Sequence, residues 1–462
     1  MSDDHAAHAI SAYSSRINTT PNIDRLASGG MRLDTCLCTN SICAPSRASI
    51  LTGTYSHVNG VLTLNETLDG RQTTFPQLLQ ASGYQTAIIG KWHLGHGGRS
   101  DPSGFDYWNV LPGQGQYHAP ELIEMGVRTS YTGYVTDVIT DLSLNWLRQR
   151  DRTRPFLLCT HHKAPHSPWE PDEKHATMYE DADIPAPETF DDDYSNRSQA
   201  AARATLRIGR DLTDRHTKGP PPAGLDESAL KWWKYQRFIK DFLRCVASID
   251  DNVGRLLDYL DEEGLTENTI VIYTSDQGAF LGDHGWHDKR FFYEESLRMP
   301  FLVRYPQEIP AGAVSDQMVL NVDFAPLFLD YAGLPVPQAP VPQAPVPRAP
   351  VPHAMQGASC RAILRGEAPS DWRESMYYRY FMHIETHNTS AHYGIRTRRY
   401  KLIYYYEPEP GPQEWELFDL EQDPRELRSV YSAPAYQDIV RQLKGELRRL
   451  RAELGDTTNS WE

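Results

Sequence analysis

Thr269-Ile270-Val271-Ile272-Tyr273-Thr274 runs directly into Ser275-Asp276-Gln277-Gly278, and this junction decides the fold. A run of β-branched and aromatic residues without alternation reads as a strand buried on both faces. Its abrupt end in polar residues suits a parallel sheet, where ligands gather at strand carboxyl ends. The same grammar recurs along the chain. Gln85-Thr86-Ala87-Ile88-Ile89 leads into Gly90-Lys91-Trp92-His93-Leu94-Gly95, and Phe156-Leu157-Leu158-Cys159-Thr160 into His161-His162-Lys163-Ala164-Pro165-His166. Gly282-Asp283-His284-Gly285 and Lys289 follow the first junction, and Asp3-Asp4 reads as a fourth strand end. Helices must lie between parallel strands. Gln236 to Leu260 supplies one, with Phe238, Phe242, Val246, Ile249, Val253, Leu256 and Leu260 on one face and Gly264 as its cap. The expected fold is α/β, a mainly parallel central sheet flanked by helices.

Cys43-Ala44-Pro45-Ser46-Arg47-Ala48-Ser49-Ile50-Leu51-Thr52-Gly53 sets a sulfur and an arginine at helical spacing. The proline suits the start of a helix, so Cys43 falls near exposed N–H groups and the positive end of the dipole. That setting favours a thiolate or a bound anion. An isolated cysteine is more often a small core residue; the whole string outweighs that reading.

This string resembles the signature of the sulfatase family, Cys-x-Pro-Ser-Arg followed by Leu-Thr-Gly. The resemblance implies an alkaline phosphatase-like fold and oxidation of Cys43 to formylglycine, by a formylglycine-generating enzyme. In the family the hydrated aldehyde attacks sulfur, the ester S–O bond breaks, and the second hydroxyl then expels sulfate. Carried over, Arg47 holds the hydroxyl and metal shell, Lys91 and Lys289 neutralise sulfate oxygens, His93 assists sulfate elimination and His166 stands by the leaving oxygen. Asp3, Asp4, Cys43, Asp276 and Gln277 form the implied metal site. Apart from the cysteine these are oxygen donors, which suit Ca²⁺ or Mg²⁺ over zinc; the family implies calcium. Either acidic pair alone reads equally well as a cap or turn.

Three further segments look most like N-acetylglucosamine-6-sulfatases: Val110 to Tyr117, Lys163 to Pro171 and His392 to Thr397. They make a sulfated carbohydrate the expected substrate, with Tyr117, Trp169, His383, His387 and Arg396 as candidates to bind the sugar, against ordinary packing. Gly113-Gln114-Gly115 is too short a match for a nucleotide loop. A phosphonate or phosphate ester hydrolase of the same superfamily, or an inactive glycan-binding homologue, are the rival readings.

The 46 basic and 61 acidic residues among 462 give a net charge of −15, which argues against nucleic acid and against docking on anionic membranes. An anionic substrate must therefore be held by a local cation cluster or a metal. There is no apolar run of membrane-spanning length. Six cysteines without a CxxC pair read as reduced, with Cys36, Cys38 and Cys245 in packing roles. Met1-Ser2 precedes Asp3 where family members carry an apolar strand, so the expectation is a missing central strand, poor expression and weak metal binding. No signal peptide is visible. The family's substrates favour a periplasmic or extracellular setting, and a cytoplasmic one stays open.

Residues 1–334 read as the catalytic domain, 335–353 as a stiff proline-repeat linker, and 354–462 as a small α+β subdomain. The last carries strands near Arg373 to Phe381, His392 to Thr397, Lys401 to Tyr406 and Trp415 to Leu420, then a helix from Tyr436 to Leu454. Its Glu416 to Leu420 segment, followed by Asp423-Pro424, resembles the close of many sulfatases. Asp181 to Ala229, polar and aperiodic, reads as a surface insertion over the site.

Overall fold

The computed structural model describes residues 1–337, 354–406 and 414–461. Most of the proline repeat lies outside the described residues. The strands, in chain order, are Met31–Leu33 (β1), Cys36–Leu37 (β2), Gln85–Lys91 (β3), Tyr107–Leu111 (β4), Glu121–Glu124 (β5), Val127–Ser130 (β6), Phe156–His161 (β7) and Val271–Thr274 (β8). They continue with Arg298–Met299 (β9), Phe301–Arg304 (β10), Ala313–Ser315 (β11), Val319–Leu320 (β12), Ser375–Tyr380 (β13), His392–Thr397 (β14), Tyr400–Tyr405 (β15) and Glu414–Asp419 (β16).

One sheet has the order β6-β5-β4-β3-β7 and another β11-β1-β10-β8. β3 pairs in parallel with β4 and β7, and β1 with β11, whereas β5, β6 and β10 join antiparallel. The antiparallel β5–β6 pair is closed by a short hairpin turn, whereas the parallel β3–β4 and β3–β7 pairs need crossover connections. Helices Pro21–Ser28, Val135–Gln149 and Glu227–Glu262 pack together. The last is longer than its apolar stripe predicts because Asp226 caps it, its carboxylate accepting from Ala229 N at 2.8 Å. Cys36, Cys38 and Cys245 are buried and all six cysteines are free. Among the described residues no helix is long and apolar enough to cross a membrane.

The carboxy-terminal sheet is an antiparallel meander, β13-β14-β15-β16, backed by the helix Gln437–Leu454. Both of its faces carry buried tyrosines, since Tyr377 and Tyr378, like Tyr404 and Tyr405, are consecutive strand residues, and Tyr380 and Tyr393 are buried as well. The segment read as a surface insertion is in part interior. Its short helices Gln199–Arg203 and Ile208–Asp211 bury Ala200, Ala201 and Ile208, and Ser198 N donates to Glu416 Oε1 at 2.8 Å. Small apolar residues among the polar ones were its overlooked burial signal.

Candidate active site

Cys43 opens the helix Cys43–Thr52, in which every residue is buried. The expectation of a thiolate is corrected: burial pushes the Cys43 thiol up to about 12, against the opposing pull of Lys289 and Lys91. Desolvation outweighs both the dipole and the cations. Arg47, one turn on, donates from Nε to Asp276 Oδ2 at 2.9 Å and from NH1 to Lys91 O at 2.8 Å. The helix therefore ties the ends of β3 and β8 together.

Gly90 makes the approach of β3 to β7 possible. Its φ is +105°, and a Cβ there would lie 1.9 Å from His161 O, a conformation and a closeness that only glycine tolerates. The next residue, Lys91, turns inward and is wholly buried, its ammonium donating to Asp3 and to Gln114 Oε1, the latter at 2.6 Å. Lys289 Nζ donates to Asp4 Oδ2 at 2.6 Å. Asp4, His93, His284, Asp288 and Arg290 all have positive φ without being glycine, and such strain persists where the surrounding structure over-determines it.

Asp3, Asp4, Cys43 and His166 each bring a ligand-type atom within 4.8 Å of the others. Gln277 Nε2 donates to Asp4 Oδ1, and Gln277 Oε1 and Asp3 Oδ1 are buried without hydrogen-bond partners, Arg47 NH2 lying 3.8 Å from the latter. Asp276 joins the cluster through Arg47. Burial first, then the neighbouring Asp3, raises the Asp276 carboxyl to about 7, and burial raises Asp4 to about 6. Three crowded carboxyls, with an oxygen of Asp3 and the amide oxygen of Gln277 free of hydrogen bonds, fit a hard divalent cation.

His166 Nδ1 donates to Ser167 O at 2.7 Å, which turns Nε2 toward Asp4 Oδ2, 3.7 Å away. Burial, then Lys289 and Lys91, holds its pKa well below the ordinary imidazole value. His93 is likewise depressed by burial and Lys91, and its Nδ1 lacks a partner. Cys43, Arg47, Lys91, Lys289 and His166 thus each meet a carboxylate of Asp3, Asp4 or Asp276.

The sugar candidates divide. Tyr117 is buried, donating its hydroxyl to His166 O at 2.6 Å, so it supports the histidine's loop. Trp169 is corrected to a core residue: it is 4% exposed and packs on Phe238 with ring centroids 4.4 Å apart. Arg396 is corrected to a structural cation, its Nε and NH2 forked onto both oxygens of Glu294 at 2.8 and 3.0 Å. His387 lies by the site, but both ring nitrogens are engaged, with Thr205 O at 3.0 Å and Asp288 Oδ2 at 2.9 Å. His383 Nδ1 accepts from Ala391 N at 3.2 Å. Gln114, Asp288 and Arg290 were missed. Gln114 sat inside the Val110 to Tyr117 segment without being singled out, and the other two flank Lys289 in sequence.

The sulfatase family model matches residues 1–334. The chain belongs to the sulfatase family. A second model, described as the carboxy-terminal part of N-sulphoglucosamine sulphohydrolase, matches residues 282–453 of this sulfatase. It is 39% identical to an N-acetylglucosamine-6-O-sulfatase of Bacteroides thetaiotaomicron, over 99% of this chain and 86% of the relative. It is 29% identical to the human N-acetylglucosamine-6-sulfatase over 76% of this chain and 61% of the relative. A solved structure of an enzyme in complex with its substrate D-glucosamine-2-N,6-O-disulfate superposes with a TM-score of 0.91 at 39% identity, covering 99% of this chain and 97% of that one. A phosphonate monoester hydrolase of Agrobacterium radiobacter shares the fold, with a TM-score of 0.77 at 20% identity over 98% of this chain and 94% of that one.

Proposed function

We propose that this sulfatase removes the 6-O-sulfate of a glucosamine residue, N-acetylated or N-sulfated, in a sulfated glycan. The observation that carries the reading is 39% identity over nearly the whole chain to a relative named for that activity, together with the same identity to an enzyme bound to a 6-O-sulfated glucosamine.

Asp3, Asp4, Asp276 and Gln277 would hold Ca²⁺, with Mg²⁺ as the alternative, and Cys43 would be matured to formylglycine. The hydrated aldehyde supplies the nucleophile and a second hydroxyl for sulfate expulsion, and the cation supplies fixed positive charge. The depressed acidity of the unmodified Cys43 thiol accords with conversion in preference to thiolate catalysis.

The chain's own residues do the rest. With Asp3 and Asp4 committed to a cation, Lys91 and Lys289, which they hold here, would be free to face sulfate oxygens. Arg47, locked by Asp276 and Lys91 O, fixes the helix start that carries residue 43. As the S–O bond to the sugar breaks, charge builds on the leaving oxygen, and His166 Nε2, protonated once the anionic ester is bound, delivers its proton there. His93 serves the later release of sulfate. The formylglycine-generating enzyme would be the partner during maturation, and glycan substrates of this class favour the periplasm or the outside of the cell, with the cytoplasm as the alternative.

Sulfate release should be fastest from N-acetylglucosamine 6-sulfate or glucosamine 2-N,6-O-disulfate in a panel that includes 2-sulfated iduronate, choline sulfate and an aryl phosphonate. A first rank for any of the last three would remove the assignment.

A further inference from the structure

Lys163 is a buried ammonium without an anion. It lies three residues before His166 on the loop that leaves β7, and it is 3% exposed. Its Nζ stands 4.6 Å from the centroid of the Tyr117 ring, and among the described residues it has that ring and no oxygen for a partner. Lys91, Lys289 and Arg47 are buried too, yet each donates to a carboxylate, of Asp3, Asp4 and Asp276 in turn. Burial, then the neighbouring Lys91, pulls the Lys163 ammonium down to about 8. A charge taken out of water without an acceptor is a standing cost to stability, and costs of that kind are retained where function needs the group.

The backbone around Lys163 is built into the site. His166 N donates to Lys163 O at 3.1 Å, and Asp3 N donates to Ala164 O at 3.1 Å, so one turn holds both the histidine of the leaving group and a carboxylate of the metal cluster. The ring beneath the ammonium is fixed. Its hydroxyl donates to His166 O at 2.6 Å, and its face stacks on Tyr134 with centroids 5.8 Å apart. The lysine stem is not fixed in that way, since its four carbons rotate, and a ring face holds an ammonium less firmly than an anion does. The strongest charged neighbours of Lys163 are Lys91, which repels it, and Asp3, which attracts it. Those two groups meet on the sulfate side of the site.

We propose that Lys163 is a third lysine for the ester sulfate: with substrate bound, its ammonium leaves the Tyr117 ring and donates to an oxygen of the sulfate group that also faces Lys91. The inference rests on the sulfate position assigned to Lys91 and Lys289 under the proposed function. A sulfate ester presents three free oxygens, more than those two lysines satisfy alone. A further cation also offsets the repulsion of an anionic substrate by a chain of net charge −15. Lys163 therefore acts on binding of the sulfate, while proton delivery to the leaving oxygen stays with His166.

The test compares the matured, Ca²⁺-loaded enzyme with Lys163→Met, which keeps an apolar stem and removes the charge, and with Lys163→Arg. Lys163→Met should raise the KM for p-nitrophenyl sulfate and the inhibition constant of inorganic sulfate about tenfold or more, the scale of a hydrogen bond to a charged group. Its kcat should stay within about threefold, because the contact is made equally before and at the transition state. Lys163→Arg should recover most of the affinity. In sulfate-free buffer the Met variant should melt at the parent's temperature or higher, since an unpaired charge has left the interior, and the stabilisation that added sulfate gives the parent should shrink. A lower melting temperature with unchanged KM and sulfate inhibition, or failure of the Met variant to fold, would overturn the proposal and make Lys163 a support for Tyr117. So would a loss confined to glucosamine 2-N,6-O-disulfate with p-nitrophenyl sulfate unaffected, which would assign the ammonium to the N-sulfate. Neither p-nitrophenyl sulfate nor inorganic sulfate carries a sugar, so a failed sugar panel with these results intact would remove the 6-O-sulfate assignment alone.

Discussion

Lys289 Nζ donates to Asp4 Oδ2 across 2.6 Å, joining the loop after β8 to the first residues of the chain. With Lys91 bound to Asp3 in the same way, the two cations expected to meet sulfate are held by the carboxylates expected to meet metal. The site is a set of exchangeable partners, and its response to metal and pH follows.

Metal should stabilise the protein more at pH 8 than at pH 5.5. Asp276 and Asp4 are raised to about 7 and about 6, above their unfolded value, so in the metal-free protein folding favours the protonated forms. Their contribution to stability is full below the unfolded carboxyl value and declines as pH rises toward about 7. A cation needs the deprotonated forms, so its binding releases protons below pH 7 and strengthens above it. Calorimetry in buffers of different ionisation heat checks this. Proton-neutral binding at pH 6 would contradict it, and restoration of chelated enzyme by zinc alone, not Ca²⁺ or Mg²⁺, would contradict the donor assignment.

Cys43→Ala should abolish sulfate release while leaving the melting temperature within a few degrees of the parent. The side chain is small and sits at a helix start, so little packing is lost. A folded variant retaining more than about a few per cent of the rate would remove Cys43 from the chemistry. Mass spectrometry of the Cys43 peptide after co-expression with the maturing enzyme checks the conversion directly.

His166→Ala should cost about 10²–10³ in kcat on a sugar sulfate and much less on p-nitrophenyl sulfate, whose leaving group needs no proton. Equal losses on both would assign His166 to binding or to structure.

Arg396→Ala should lower stability by about 1.5–3 kcal/mol, the scale of hydrogen bonds to a charged group, because Glu294 loses its forked partner. Lys401 Nζ, 2.9 Å from Glu294 Oε1, limits the loss. The KM for sugar substrate should stay within about twofold. A large rise in KM with unchanged melting would restore Arg396 to the sugar site.

Some of this was legible in the linear chain because it depends on neighbours in sequence. The run Thr269 to Thr274 had to be a strand and Asp276-Gln277 had to follow its end; Cys43 and Arg47 had to share a helix face. The strands of the carboxy-terminal meander fell within a residue or two of their observed bounds because their β-branched and aromatic pattern is local. Tertiary structure alone decided which side chains of the right type are used. Trp169 and Arg396 have the chemistry of sugar ligands, yet one meets Phe238 and the other Glu294, partners 69 and 102 residues away. Only the fold could show that burial overrides the helix dipole at Cys43. A sequence specifies periodicity and residue type through local geometry, whereas solvent exposure and charge pairing are set by segments far apart in the chain, and those two terms determine which polar groups remain free to act.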